Sequence, residues 1–195
     1  MGNYKVVKQA ISFELANFLY NYFLLKREAV DYMYSNNWTY DNGMLGTWKD
    51  EQIPNTYSIY GDPAFDTLLM KVLPVMKHET GLDVIPTYSY ARIYKKGDIL
   101  KRHKDRRSCE ISTTLHLGGD PWPIFMDPRP GVQCNMPIRK SGDPGQHLWR
   151  DADLEPISGR IIMFPAWLWH AVGENKSNDV RISVSFNFIQ EGFNG

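Results

Sequence analysis

The chain has 195 residues, 43% of them apolar, and its 22 Lys plus Arg balance its 22 Asp plus Glu. That is enough for one domain with a full core, without the charge surplus of a general nucleic-acid or membrane-surface binder. The two cysteines, Cys109 and Cys134, fall short of a disulfide framework. The apolar stretch at residues 11–25 is broken by Glu14, Asn17 and Asn21, which disfavours a signal peptide or membrane span, so a cytoplasmic protein is expected.

From Ser12 onward, Leu15, Phe18, Leu19, Tyr22 and Phe23 recur at helical spacing, with Ser12 as N-cap and Glu14 in the first turn. A polar, aromatic, turn-rich stretch follows. Asp62 and Pro63 then read as the N-cap and first position of a second helix, which should reach about His78 and stop at Gly81. Pro74 is expected to kink or split it. Beyond Gly81 the pattern changes to short strands at residues 87–94, 109–117, 122–127, 159–164 and 180–189, separated by Gly, Pro and Asp. Helices followed by a run of strands give an α+β, mainly β chain, an antiparallel two-sheet roll with the N-terminal helices outside one sheet. Residues 128–156 are too long for a tight turn and read as a lid or an insertion.

The last strand alternates strictly: Val180, Ile182, Val184, Phe186 and Phe188 on one face, Arg181, Ser183, Ser185 and Asn187 on the other. The polar face either meets solvent or lines a pocket in the roll's mouth. An arginine followed by hydroxyls two and four residues on can hold a carboxylate through a guanidinium fork and O–H donors. Eleven residues earlier stands His170, in a tryptophan-rich turn. With His103 and Asp105 it makes two histidines and one carboxylate, a set that holds non-haem Fe(II) on one face and leaves other positions open. His103 and Asp105 lie two apart on an extended segment and so point the same way. His116 is an alternative third ligand, and His147 sits in the long loop.

The pattern H-x-D at 103–105, then His170, then Arg181-x-Ser183, resembles the 2-oxoglutarate and Fe(II)-dependent dioxygenases. More narrowly, residues 90–117 resemble the prolyl-4-hydroxylase-like branch with its short bacterial and phage members. The resemblance spans residues 88–189. It implies a double-stranded β-helix of the jelly-roll or cupin-like kind over residues 87–195, with residues 1–86 as helical support and substrate loops of a single 1–195 domain. It also implies Fe(II) held by His103, Asp105 and His170, the distal carboxylate of 2-oxoglutarate paired to Arg181 with Ser183 or Ser185, and Tyr94 reaching into the cosubstrate pocket. Collagen-type prolyl hydroxylases place a lysine where this chain has Arg181, whereas oxygen-sensing hydroxylases and many other branches use arginine.

The implied reaction couples decarboxylation of 2-oxoglutarate to succinate and CO2 with hydroxylation of an unactivated C–H bond. It requires Fe(II), 2-oxoglutarate and O2, and ascorbate is a candidate additive for sustained turnover. A peptidyl proline-type substrate is the first expectation, with a free amino acid or small metabolite as the alternative; neither nucleic acid nor membrane is an expected partner. Substrate contacts are expected from Arg106 and Arg107 beside the metal ligands, from Gln52, Tyr57 and Tyr60 in the 50–62 loop, and from Trp122, Trp167 and Trp169 at the mouth. Most of the seven Lys and Arg in residues 95–107 read as a solvated basic loop. Outside the oxygenase class, the same features fit a non-redox cupin-like metal or sugar binder, or a structural jelly roll.

Overall fold

The computed structural model describes residues 4–106, 108–121, 124–126 and 156–192. Arg107, Trp122, Cys134, His147 and nearly all of the 128–156 segment lie outside the described residues. Helix α1, Phe13–Ser35, starts where the sequence places it, because the Ser12 hydroxyl accepts from the Leu15 N–H at 3.2 Å. Helix α2, Pro63–Thr80, is capped by Asp62, whose carboxylate accepts from Ala64 N and Phe65 N, and ends at Gly81 in the left-handed conformation. Asp62 also takes the Tyr22 hydroxyl and, at 2.5 Å, the Lys26 ammonium, so one buried carboxylate caps α2 and ties it to α1.

Two expectations about the helices are corrected. Pro74 does not split α2, which continues through it. Pro74 is exposed, so the carbonyl left without its amide partner falls on the side where water can replace the bond. Phe18 is 67% exposed, and the buried stripe of α1 is Ala16, Leu19, Phe23 and Val30.

The strands are β1 Lys5–Val7, β2 Ser58–Tyr60, β3 Val84–Tyr94, β4 Leu100–His103, β5 Ile111–Gly119, β6 Ile124–Met126, β7 Ile161–Pro165, β8 His170–Val172 and β9 Arg181–Gln190. They form two antiparallel sheets, one in the order β1-β7-β5-β9-β3-β2 and one in the order β4-β8-β6. The N-terminal segment is therefore more than helical support: it supplies both edge strands of the large sheet, β1 against β7 and β2 against β3. No described helix is long and apolar enough to cross a membrane.

The cores follow from the period-two alternation of the strands. Phe23, Phe65, Leu68, Val72 and Met76 of the helices pack against Ala91, Ile93, Leu115, Val184, Phe186 and Phe188 on one face of the large sheet. The opposite face supplies Tyr94, Ile162 and Phe164 to a second cluster with Leu100, Ile124, Met126 and Val172 of the small sheet. Strand β7 serves both, with Ile161 and Met163 in the first cluster and Ile162 and Phe164 in the second, which is why its sequence is a continuous apolar run. Tyr57 belongs to the first cluster, its ring against Phe23 and Trp48 and its hydroxyl donating to the Leu45 carbonyl at 2.6 Å. It holds the 45–57 loop to the core and, 2% exposed, is not among the residues that line the cavity between the two sheets.

Candidate metal centre and cosubstrate cavity

Strand pairing assembles the centre. In the β4–β8 ladder His103 stands directly opposite His170, so residues 67 positions apart in sequence have ring centroids 4.1 Å apart. His170 is the first residue of β8 rather than part of a turn, and neither β4 nor β8 carries an apolar run long enough to announce itself. Asp105, just past β4, is fixed by its N–H to the Ala166 carbonyl at 3.0 Å. Its Oδ1 lies 3.7 Å from Nε2 of both histidines, and one ligand atom from each of the three residues falls within 4.8 Å of the others. His116 is outside this group.

The donors suit a metal ion. Nδ1 of His103 lies 2.8 Å from the Lys101 carbonyl and Nδ1 of His170 lies 3.0 Å from the Leu168 carbonyl. A carbonyl only accepts, so Nδ1 carries a proton in each ring, and Nε2 is the nitrogen that faces Asp105. Burial, then the neighbouring His170, push His103 down to about 4 against the pull of Asp105, so it is neutral at pH 7. One carboxylate and two imidazoles with space beside them are a donor set that could hold a first-row divalent cation of the Fe(II) kind.

A cavity of about 350 Å³ opens beside this centre between the two sheets. Its far side is the polar face of β9: Arg181, Ser183, Ser185 and Asn187 all line it. That face is therefore a pocket wall rather than a solvated surface. Arg181 is 2% exposed, faces Tyr94 across the β3–β9 ladder, and has its guanidinium 5.5 Å from the Tyr94 ring centroid. Burial lowers its pKa against the opposing effect of Tyr94. Gly119 is opposite Arg181 on the other neighbouring strand, at φ +88°, and a Cβ there would come within 1.8 Å of the Val180 carbonyl oxygen. Only glycine lets β5 close on the start of β9 here. A buried guanidinium with hydroxyls beside it suits an anionic carboxylate.

A family model for 2OG-Fe(II) oxygenases matches residues 77–187, spanning the centre and the polar face of β9. The chain belongs to the 2OG-Fe(II) oxygenases. No curated protein matches it. Among solved structures, a Pseudomonas putida prolyl-4-hydroxylase is similar at 16% identity, over 98% of this chain and 95% of that one, with a TM-score of 0.63. HygX from Streptomyces hygroscopicus, solved with nickel, 2-oxoglutarate and hygromycin B, is similar at 10% identity over 98% and 84%, with a TM-score of 0.67. The viral collagen prolyl hydroxylase of Paramecium Bursaria Chlorella virus-1, in its 2OG complex, is similar at 10% identity over 95% of each chain, with a TM-score of 0.55. At these identities the likeness is one of fold.

The oxygenase uses Fe(II), 2-oxoglutarate and O2. Its cavity also takes in Tyr94, Tyr60, Gln52 and Arg106 from the sequence-derived set, and Lys104 of the basic run. Arg106 lies over the Tyr60 ring at 5.3 Å and donates to its hydroxyl at 3.1 Å. Trp167 and Trp169 are not in the wall: Trp167 is about half exposed, and Trp169 carries Arg102 at 4.6 Å and Lys104 at 5.0 Å over its ring. The basic run is thus spread over separate structural tasks, with Lys95 on Asp98 and Lys96 on Asn178.

Sequence reasoning missed Tyr88, Tyr90 and Arg92, which line the cavity with Tyr94. The signal was available, since alternation along β3 puts all four on one face. It also missed Asp50, whose carboxylate pairs with Arg92 at 3.0 Å and accepts from the Tyr90 hydroxyl at 2.6 Å. Burial raises the Asp50 pKa, but Tyr90 and Arg92 outweigh it and hold the carboxyl below its usual range. Burial likewise opposes the Arg92 charge, yet Tyr94, Tyr90 and Asp50 together raise its pKa. No local pattern joins Asp50 to β3.

Proposed function

We propose that this oxygenase hydroxylates an unactivated C–H bond of a peptidyl proline-type substrate, with His103, Asp105 and His170 holding Fe(II). Arg181, with Ser183, Ser185 and Tyr94 beside it, would hold the distal carboxylate of 2-oxoglutarate. The carrying observation is that the His-Asp-His group and the buried guanidinium line one cavity. The two sheets around that cavity support a double-stranded β-helix, and the β-strands contributed by residues 5–7 and 58–60 support reading the chain as one domain.

Bound Fe(II) and 2-oxoglutarate supply the oxidative chemistry, in which O2 converts 2-oxoglutarate to succinate and CO2 and delivers an oxygen atom to the substrate C–H bond. The chain's own residues do the positioning. Lys101 and Leu168 carbonyls take the two Nδ1–H groups, which leaves Nε2 as the nitrogen each ring would offer the metal. Arg181 recognises the end of the cosubstrate away from the metal, and its fork sets the orientation. Leu100, Ile124, Phe164 and Val172 give the cavity apolar wall, which limits water around the reacting atoms.

The test is anaerobic. Fe(II) and then 2-oxoglutarate added to metal-free protein should give the visible charge-transfer band of the chelate, and proline-containing peptides should then stimulate succinate release in air. A folded protein with no band would overturn the assignment of the centre. A band with stimulation only by free amino acids or small metabolites would replace the peptidyl substrate with that class, since fold alone does not choose it.

A further inference from the structure

The 50–53 loop reaches over the cavity and is fixed more firmly than a surface loop needs to be. Asp50 Oδ1 accepts from Gln52 N at 2.8 Å and Ile53 N at 3.4 Å, closing a short turn, and Ile53 is buried in the cluster shared by the two sheets. Arg92, 2% exposed, reaches up from β3. Its Nη2 donates to the Gln52 Oε1 at 3.0 Å and to the Tyr90 hydroxyl at 2.6 Å, and lies 3.0 Å from Asp50 Oδ1 as an ion pair.

An arginine can only donate, so it dictates which end of the Gln52 carboxamide faces it. The oxygen turns toward Arg92, and the NH2 group must point away. Among the described residues nothing accepts from that NH2, and Gln52 lines the cavity. Two N–H donors are thus held ready at the mouth of the cavity that contains the His-Asp-His group. Asp50 offsets Arg92, and the exposed Glu51 carboxylate beside Gln52 adds negative charge there, while Lys104 and Arg106 line the same cavity from the segment that follows β4. Next to the Asp50 and Glu51 carboxylates a neutral acceptor meets a preorganised donor at little ordering cost, without the repulsion that an anion would meet from them.

We propose that Gln52 is a specificity-determining residue that donates to a neutral amide carbonyl of the substrate, with Arg92 as the residue that positions it. This rests on the hydroxylase reading above and adds the chemistry of the group recognised beside the reacting carbon: an amide carbonyl, as in a peptide, in preference to a free carboxylate.

The experiment uses 15N-labelled full chain loaded with Zn(II) in place of iron and with 2-oxoglutarate. It is titrated first with N-acetyl-L-prolinamide and then, separately, with N-acetyl-L-proline, which differs by a carboxylate. The Gln52 side-chain NH2 pair is assigned by its absence from Gln52→Glu. The amide should shift that pair and bind about tenfold more tightly than the acid, and Gln52→Leu should lose about tenfold in affinity for the amide. In Arg92→Lys the preference for amide over acid should collapse; Gln52→Leu, altered at an exposed side chain, carries the test if Arg92→Lys does not fold. An NH2 pair unmoved by the amide, or an acid that binds as well, overturns the proposal. The Fe(II)–2-oxoglutarate band of the unaltered protein separates the two readings: with the band present only the Gln52 subsite fails, and with it absent the centre itself fails.

Discussion

Replacing Arg181 by methionine tests the cosubstrate assignment most sharply. The guanidinium is 2% exposed and in the wall of the cavity that holds the candidate metal ligands, so a carboxylate bound to it is removed from water. Deleting one partner of a buried, hydrogen-bonded charge pair costs about 2–5 kcal/mol. At about 1.4 kcal/mol per factor of ten, the 2-oxoglutarate dissociation constant should rise by about 30-fold to several thousand-fold. Arg181→Lys keeps the charge but not the planar fork and should fall between. The assay is an anaerobic titration of Fe(II)-loaded protein with 2-oxoglutarate, read at the chelate band. A parallel titration uses pyruvate, which has the 2-oxo acid but no distal carboxylate. The unaltered protein should prefer 2-oxoglutarate strongly, and Arg181→Met should lose that preference while its affinity for pyruvate stays the same. Binding of 2-oxoglutarate by Arg181→Met within threefold of the unaltered protein would refute the role of Arg181.

At the metal centre, His103→Ala and Asp105→Ala should each abolish succinate formation and stoichiometric Fe(II) binding; undiminished turnover in either would remove that residue from the ligand set. His116 should make stability depend on pH. Burial, and then the Arg181 charge, push it down to about 3 from 6.5, so between those values the unfolded chain binds a proton that the folded chain does not. Its contribution is complete above about pH 6.5 and is lost as the pH falls. The slope should approach about 1.4 kcal/mol per pH unit. Urea unfolding midpoints from pH 7 to 5 should therefore fall more steeply for the unaltered protein than for His116→Gln, and parallel curves would contradict this. Gly119→Ala forces a Cβ to within 1.8 Å of the Val180 carbonyl oxygen at φ +88° and should cost roughly 2 kcal/mol or more in urea unfolding; an unchanged midpoint would show that β5 and β9 can separate there.

Where structure is local, the sequence determines it. Ser12 and Asp62 cap their helices because their side chains reach amides two or three residues on, and Gly81 ends α2 because it accepts the left-handed conformation. The alternation of β9 separates Ile182, Val184, Phe186 and Phe188 from Arg181, Ser183, Ser185 and Asn187 at a period no packing can alter. The types of the three candidate metal ligands are likewise readable. What alternation leaves open is what each face meets. The polar face of β9 became a pocket wall only because the small sheet packs across from it. His103 and His170 meet because β4 and β8 pair in one register, and that pairing joins segments of four and three residues whose own patterns are too short to predict it. Tyr57 shows the converse: an aromatic in a polar loop looks like a ligand contact until Phe23 and Trp48 close around it. Asp50 and Arg92, 42 residues apart, become one ion pair across the cavity mouth only in the folded chain. Periodicity and capping are properties of neighbours in sequence and can be read there. Register between distant strands, the occupant of each face and the pairing of distant charges depend on which surfaces the whole chain buries together, and only the tertiary structure decides those.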